Sequence, residues 1–362
     1  MKKDMKRFVL ILSFIQLLTA AGRAQTELTD YHPGITADGA VYFLPKTNIR
    51  VSVLVEKRTY TPGDFCKYAM RFLRLTDIGQ HPTTSYRVIG ISQMPVAVAD
   101  TAKGYSVKIN AKTVAPNIAL SQDGRLLAIN AQPSPEKEPQ LFVAAPKAQL
   151  PNPRSFMSEE ILSAGSTAKM AELTAREIYD LRENQNLLIK GQADFMPNDG
   201  AQMQLMLNQL SRQDKALTSL FAGTTTCDTT ETILYVTPQG TIQHQVLFRL
   251  SRMLGLVDAD DLSGEPYYID VVNLKTVPSP VDDGKKKKKK QPESGIYVNV
   301  PGRMRSTIYQ GNQPLDTKEM AAPQFGNVEL LSAELFNKRY TTHLWLNALT
   351  GAVERLEAEQ PK

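Results

Sequence analysis

Four acidic residues crowd into the segment Val257-Asp258-Ala259-Asp260-Asp261-Leu262-Ser263-Gly264-Glu265-Pro266. Hard cations bind oxygen and need several donors from one turning stretch of chain, and closely spaced carboxylates supply them. Asp258, Asp260, Asp261 and Glu265 are therefore the candidate metal ligands. The spacing departs from the EF-hand loop, because Leu262 stands where that loop has its third acidic or amide ligand. The competing reading is a solvated loop in which an aspartate caps a turn. A hydrolase acting on glycan or peptide is a third use of the same residues. It requires two of these carboxylates to face one cleft about 5–10 Å apart.

Tyr267 and Tyr268 follow directly. They form either a binding lip or an ordinary strand pair with one ring inward and one outward. Arg249 lies among large apolar residues in Val246-Leu247-Phe248-Arg249-Leu250. If buried it needs a polar partner; at an exposed edge it needs none. The run Lys285–Lys290 invites an anionic partner, but no aromatic residues interleave with it for base stacking. Six like charges in a row repel and stay extended, so the run reads as a disordered surface loop and no nucleic-acid partner is expected.

The common catalytic signatures are missing. The four histidines, His32, His81, His244 and His343, are widely spaced, and there is no H-E-x-x-H or closely spaced cysteine pair to mark a zinc site. There is no G-x-S-x-G elbow, no phosphate-binding G-x-x-x-x-G-K-[ST] loop and no G-x-G-x-x-G turn. Catalytic residues are thus unknown at this level, and no cofactor is expected; a triad assembled from distant residues would leave no such mark. Cys66 and Cys227 lie in different halves and either pair or stand as separate thiols.

The N-terminus carries Lys2, Lys3, Lys6 and Arg7, then 14 largely apolar residues from Phe8 to Ala21, then Gly22-Arg23-Ala24. A basic head, a short apolar middle and small residues before the cut describe a secretory signal peptide, with cleavage after Ala24. The apolar run is shorter than the roughly 20 residues a spanning helix needs. No run of spanning length follows it, so no transmembrane segment is expected in the mature chain. The expected location is the periplasm, or otherwise outside the cytoplasm. Cleavage also changes the charge argument. The whole chain has 42 basic and 37 acidic residues; losing the leader's five basic and one acidic residues leaves 37 against 36. The pI of about 9.0 therefore does not describe the mature body.

The elements that must position these residues read as follows. Ile49, Val51, Val53 and Val55 alternate with Arg50, Ser52, Leu54 and Glu56, a strand with one β-branched face. Asp123-Gly124 is a hairpin turn between strands at 118–120 and 126–129. Six prolines between 133 and 153 exclude helix and central strand and mark a connector. Apolar residues at helical spacing predict a helix over 168–189, stopped by Gly191, and a second from a cap at 197–199 to Gly223. Thr232–Thr237, Gln245–Leu250, Tyr267–Val272, Ile296–Val300 and Ser306–Tyr309 read as strands, and 342–356 as a terminal hairpin. The expected fold class is α+β, two β-rich regions with a central helical pair. Its segments are a signal peptide at 1–24, a β-rich domain at 25–150, the helical pair at 151–223, and a β-rich domain at 224–362 containing a lysine-rich loop at 278–295.

Several stretches are similar to an exported family of unknown function from Bacteroidetes. They are Tyr42-Phe43-Leu44-Pro45-Lys46-Thr47 leading to Val55-Glu56-Lys57, Leu181-Arg182-Glu183 to Gly191, Leu220-Phe221-Ala222-Gly223, Phe248-Arg249-Leu250-Ser251 and Gln324-Phe325-Gly326. The resemblance implies a periplasmic or cell-envelope setting and brings no catalytic residue with it. The expectation is a non-enzymatic binding or assembly protein whose partner is an envelope protein or glycan. The alternative is the envelope hydrolase described above.

Overall fold

A computed structural model describes residues 35–36, 39–108, 117–136, 139–146, 151–197, 199–278, 295–336 and 341–359. The leader segment 1–24 and the run Lys285–Lys290 lie outside these residues. Three antiparallel sheets make up most of the molecule. The first is built on β2 (Gly39–Thr61), which pairs along its length with β3 (Thr83–Lys108). The other edge of β2 takes β1 (Ile35–Thr36) near its start and β6 (Thr224–Val236) from Ile49 onward. A second sheet orders β11 (Gln313–Ser332), β10 (Gly295–Gln310), β9 (Glu265–Asn273), β7 (Ile242–Ser251) and β8 (Gly255–Val257). The third sets β13 (Val353–Glu359) and β12 (Thr341–Leu346) beside β5 (Leu126–Ile129) and β4 (Ile118–Leu120).

The expected α+β class is corrected by this architecture. Of the described residues 49% are in strands and 23% are helical. The excess comes from strand length. Apolar alternation marks only the part of a strand with one face in a core, whereas β2 and β3 run for 23 and 26 residues. The polar stretch Thr224-Thr225-Thr226-Cys227-Asp228-Thr229-Thr230 carries little apolar signal, yet it completes β6 by pairing its backbone with β2.

The helical pair is present. Ser166 caps α3 (Thr167–Lys190) by accepting from the Lys169 backbone N–H, and Gly191 ends it in the left-handed conformation that glycine adopts without strain. Two short helices, α1 (Ala69–Leu73) and α2 (Glu159–Leu162), precede it, and Asp199 caps α4 (Gly200–Ala222). The facing sides of α3 and α4 bury Ala171, Ala175, Ile178, Leu181, Leu217, Leu220 and Phe221 with Phe65 and Leu73. Among the described residues no helix is long and apolar enough to cross a membrane.

Two long strands divide their length between two cores. Ile49, Val51, Val53 and Val55 of β2 and Met304 and Ile308 of β10 face each other between the first and second sheets. Upstream, Tyr42 and Leu44 of β2 and Ile296 and Val298 of β10 pack with Ile129, Leu344 and Leu346 of the third sheet. Each strand breaks register near a proline: β2 between Phe43 and Pro45, β10 between Val300 and Gly302. Proline lacks the ladder N–H, and a register break bends the strand. Buried Asn299 bolts the two bends together, its Nδ2 donating to the carbonyls of Pro45 and Thr350 at 2.9 Å each. Gln324 does the same from β11, accepting from Thr47 N–H at 3.0 Å and donating to Thr47 C=O at 2.9 Å. A Cβ on Gly326 would lie 1.9 Å from the Val300 carbonyl oxygen, so that position admits no side chain.

Candidate functional site

A cavity of about 560 Å³ opens where the first and second sheets meet. Arg58 comes from the end of β2, Ser85, Tyr86, Arg87 and Val88 from the start of β3. Leu250 and Arg252 come from the end of β7, and Ser263, Glu265 and Tyr267 from the approach to β9 and its first residues. The walls are tied together by backbone. The Tyr86 N–H donates to the Arg252 carbonyl at 2.9 Å. The Tyr86 ring covers Gly255, where φ is +88° and a Cβ would come within 3.1 Å of that ring. The positive φ favours glycine there, and a side chain would also crowd the ring.

Arg58, Arg87 and Arg252 line the cavity together with one acidic residue, Glu265. Arg87 is oriented from behind: its Nε and Nη2 donate to the two Glu56 carboxylate oxygens at 2.8 and 3.3 Å. That hydrogen bond holds the Glu56 carboxyl below its ordinary range and raises Arg87 above its own. Glu265 accepts from Gln310 Nε2 at 2.8 Å. Planar guanidinium groups present paired N–H donors that match carboxylate and phosphate oxygens two at a time.

Of the four acidic residues in the segment 257–266, one meets this cavity. Glu265 lines it, while Asp258, Asp260 and Asp261 are exposed on the loop leading in. The cation inside that loop belongs to the chain itself. Arg249 is half-buried, its Nε donating to the Ala259 carbonyl at 2.8 Å and its Nη1 to the Gly264 carbonyl at 3.1 Å. This supplies the partner that a strand arginine among apolar neighbours needs. Asp261 accepts from the Ser263 backbone N–H at 2.9 Å, and that bond holds its carboxyl below the usual aspartate range. Among the described residues no three histidine, cysteine, aspartate or glutamate side chains converge as a metal site requires. Tyr267 points into the core, stacked on Phe248 at 4.5 Å, and Tyr268 points outward. Cys66 and Cys227 are both free.

Two further polar clusters have no forewarning in the sequence. On the outer face of the second sheet, Asp270 Oδ1 accepts from the His244 backbone N–H at 2.6 Å and from the Tyr309 hydroxyl at 3.1 Å. His244 Nδ1 lies 2.8 Å from that hydroxyl, and the imidazole stacks on Tyr268 at 4.0 Å. His244 has a left-handed φ of 52° at a register break in β7. On the outer face of the first sheet, Glu231 accepts from the Ser52 hydroxyl, from Arg50 at 3.4 Å and from the Phe142 N–H at 3.3 Å. The last bond ties the proline-rich connector to β6. The partners in both clusters are dozens of positions apart, and only pairing of the strands brings them together.

A family model described as Domain of unknown function (DUF4831) matches residues 38–354, and the chain belongs to that family. No curated protein and no solved structure gives a significant match. The stretches that carry the resemblance in the sequence have structural work in this fold. Gln324 and Gly326 make the joint between sheets, and Arg249 closes the acidic loop. Leu220 accepts from the Phe65 N–H at 2.7 Å, and Gly223 turns α4 into β6.

Proposed function

We propose that this member of the family is an exported cell-envelope protein of a Bacteroidetes bacterium that works by binding, and that its ligand carries a phosphate or carboxylate group seated in the arginine-lined cavity. One observation carries the reading: Arg58, Arg87 and Arg252 line a single cavity walled by two sheets. Its size falls in the range of small-molecule sites, roughly 300–1,000 Å³. A hydrolytic role for the acidic segment asks for paired carboxylates on one cleft. Here one of the four lines the cavity and three face solvent, which favours binding over hydrolysis. Export rests on the basic, apolar and small-residue pattern of residues 1–24.

Titration calorimetry of the mature chain with inorganic pyrophosphate tests the site. The expected result is saturable binding that weakens as salt is raised, because accessible charges are screened. Arg252→Ala should weaken it at least tenfold without changing the fold. Heat that never saturates, or an unaltered affinity in the variant, would overturn the assignment. Export has its own check: intact-mass analysis of protein from the periplasmic fraction should show a chain starting at Gln25.

A further inference from the structure

We infer that the cavity receives the head group of a zwitterionic phospholipid at a bilayer surface, phosphate on the arginines and ammonium on Glu265; this rests on the anion-binding reading above. The first observation is charge of both signs in one lining, three arginines with one glutamate. A ligand that is only anionic leaves Glu265 opposed to it, and it also meets exposed Asp258, Asp260 and Asp261 on the adjoining loop. A head group holding a phosphate and an ammonium together satisfies both kinds of wall.

The second observation is apolar and lies at the rim. Met253 and Leu254 are 71% and 65% exposed, and Leu262 is 83% exposed. Each group adjoins the lining in sequence: Met253 follows Arg252, and Leu262 precedes Ser263. Proximity to the cavity is therefore fixed by covalent connection. These side chains are also held out instead of collapsing onto the body. The Leu254 N–H donates to Ser251 Oγ at 3.3 Å, fixing the β7–β8 turn, and Arg249 clamps the loop bearing Leu262. Large apolar side chains presented on two braced loops around a polar pocket fit an interface whose outer layer is charged and whose interior is hydrocarbon.

The test is co-sedimentation of the mature chain with three vesicle preparations: phosphatidylcholine alone, phosphatidylcholine with 40% phosphatidylethanolamine, and phosphatidylcholine with 40% phosphatidylglycerol, each about 100 nm across. Soluble O-phosphoethanolamine serves as competitor. The expected result is binding to both zwitterionic preparations that exceeds binding to the phosphatidylglycerol vesicles and is reduced at least fivefold by the competitor. Arg252→Ala and, separately, Met253→Asp with Leu262→Asp should each lower it at least fivefold. Melting curves within 2 °C of the parent would show that these variants fold. Binding of O-phosphoethanolamine without vesicle binding would overturn the membrane inference and leave the anion site standing. Pyrophosphate binding without O-phosphoethanolamine binding would overturn the zwitterion assignment alone, and preference for phosphatidylglycerol would do the same. No binding of any phosphate compound would remove both readings.

Discussion

The two ends of β2 meet opposite fates. At the Tyr42–Leu44 end the third sheet closes over the strand, and polar groups there bond within the protein. Arg125 shows it best: its guanidinium is buried, reaching Asp123 at 2.8 Å, Glu136 at 2.9 Å and the Ala348 carbonyl at 2.8 Å. Tyr42 is buried too. Its hydroxyl donates to the Tyr297 carbonyl at 3.1 Å and accepts from the Tyr297 N–H at 2.8 Å, and burial drives its pKa upward. At the Arg58 end, among the described residues, no third sheet covers the sandwich. The same residue type there lines a cavity and stays in contact with water. Arg125 is thus a buried structural bolt, whereas Arg58 stays exposed beside the cavity.

The comparison breaks most visibly if the closed end is emptied. Leu344 is fully buried among Tyr42, Leu44 and Ile129. Leu344→Ala should lower unfolding free energy by about 2–5 kcal/mol in urea titrations while the folded fraction binds pyrophosphate as before. A loss of affinity larger than the loss of folded protein would show that the two ends are coupled. Exchanging the arginines gives a sharper test. Arg125→Ala removes a buried guanidinium with its bonds to Asp123, Glu136 and the Ala348 carbonyl and should cost about 1–3 kcal/mol with little effect on ligand. Arg252→Ala, at the open end, should stay within about 0.5 kcal/mol of the parent and lose the ligand. Equal stability effects would erase the distinction drawn here.

The smallest expected effect lies between the ends, at Glu231. The Ser52 hydroxyl, and after it the Phe142 N–H and Arg50, hold its carboxyl below the ordinary glutamate value of 4.5. A depressed folded-state pKa stabilises the fold above the ordinary value, and that contribution disappears as pH falls through the folded-state value. Glu231→Gln should therefore be less stable than the parent at neutral pH, with the gap closing below pH 4.5. Urea midpoints at the two pH values decide it; a gap that does not change with pH would show that the carboxylate charge contributes nothing.

Local chemistry was the part of this fold that could be read in advance. Gly191 and Gly223 stop helices, and the Ile49–Val55 alternation points one face into a core. These signals involve neighbours along the chain. The number and length of strands were not legible, because Thr224–Thr230 joins a sheet through its backbone with almost no apolar face. The candidate site was legible in two residues, Glu265 and Tyr267. Its three arginines come from three separate stretches of the lining and carry no mutual spacing. The acidic loop suggested a bound cation; inside it the structure places Arg249 of β7, bonded to the Ala259 and Gly264 carbonyls. Export, which the leader pattern suggests, concerns residues outside the described fold.

The third sheet also sets a schedule. Ile129 of β5 pairs with Leu344 of β12, a strand made long after it. Likewise β2 waits for β6 before its second edge is filled. During synthesis the N-terminal strands have no complete core to enter, and pairings this distant in sequence form slowly. The first sheet cannot be completed until β6 has been made, nor the third until β12 has. Under the export proposed above, late closure would keep the polypeptide translocatable up to the moment it arrives.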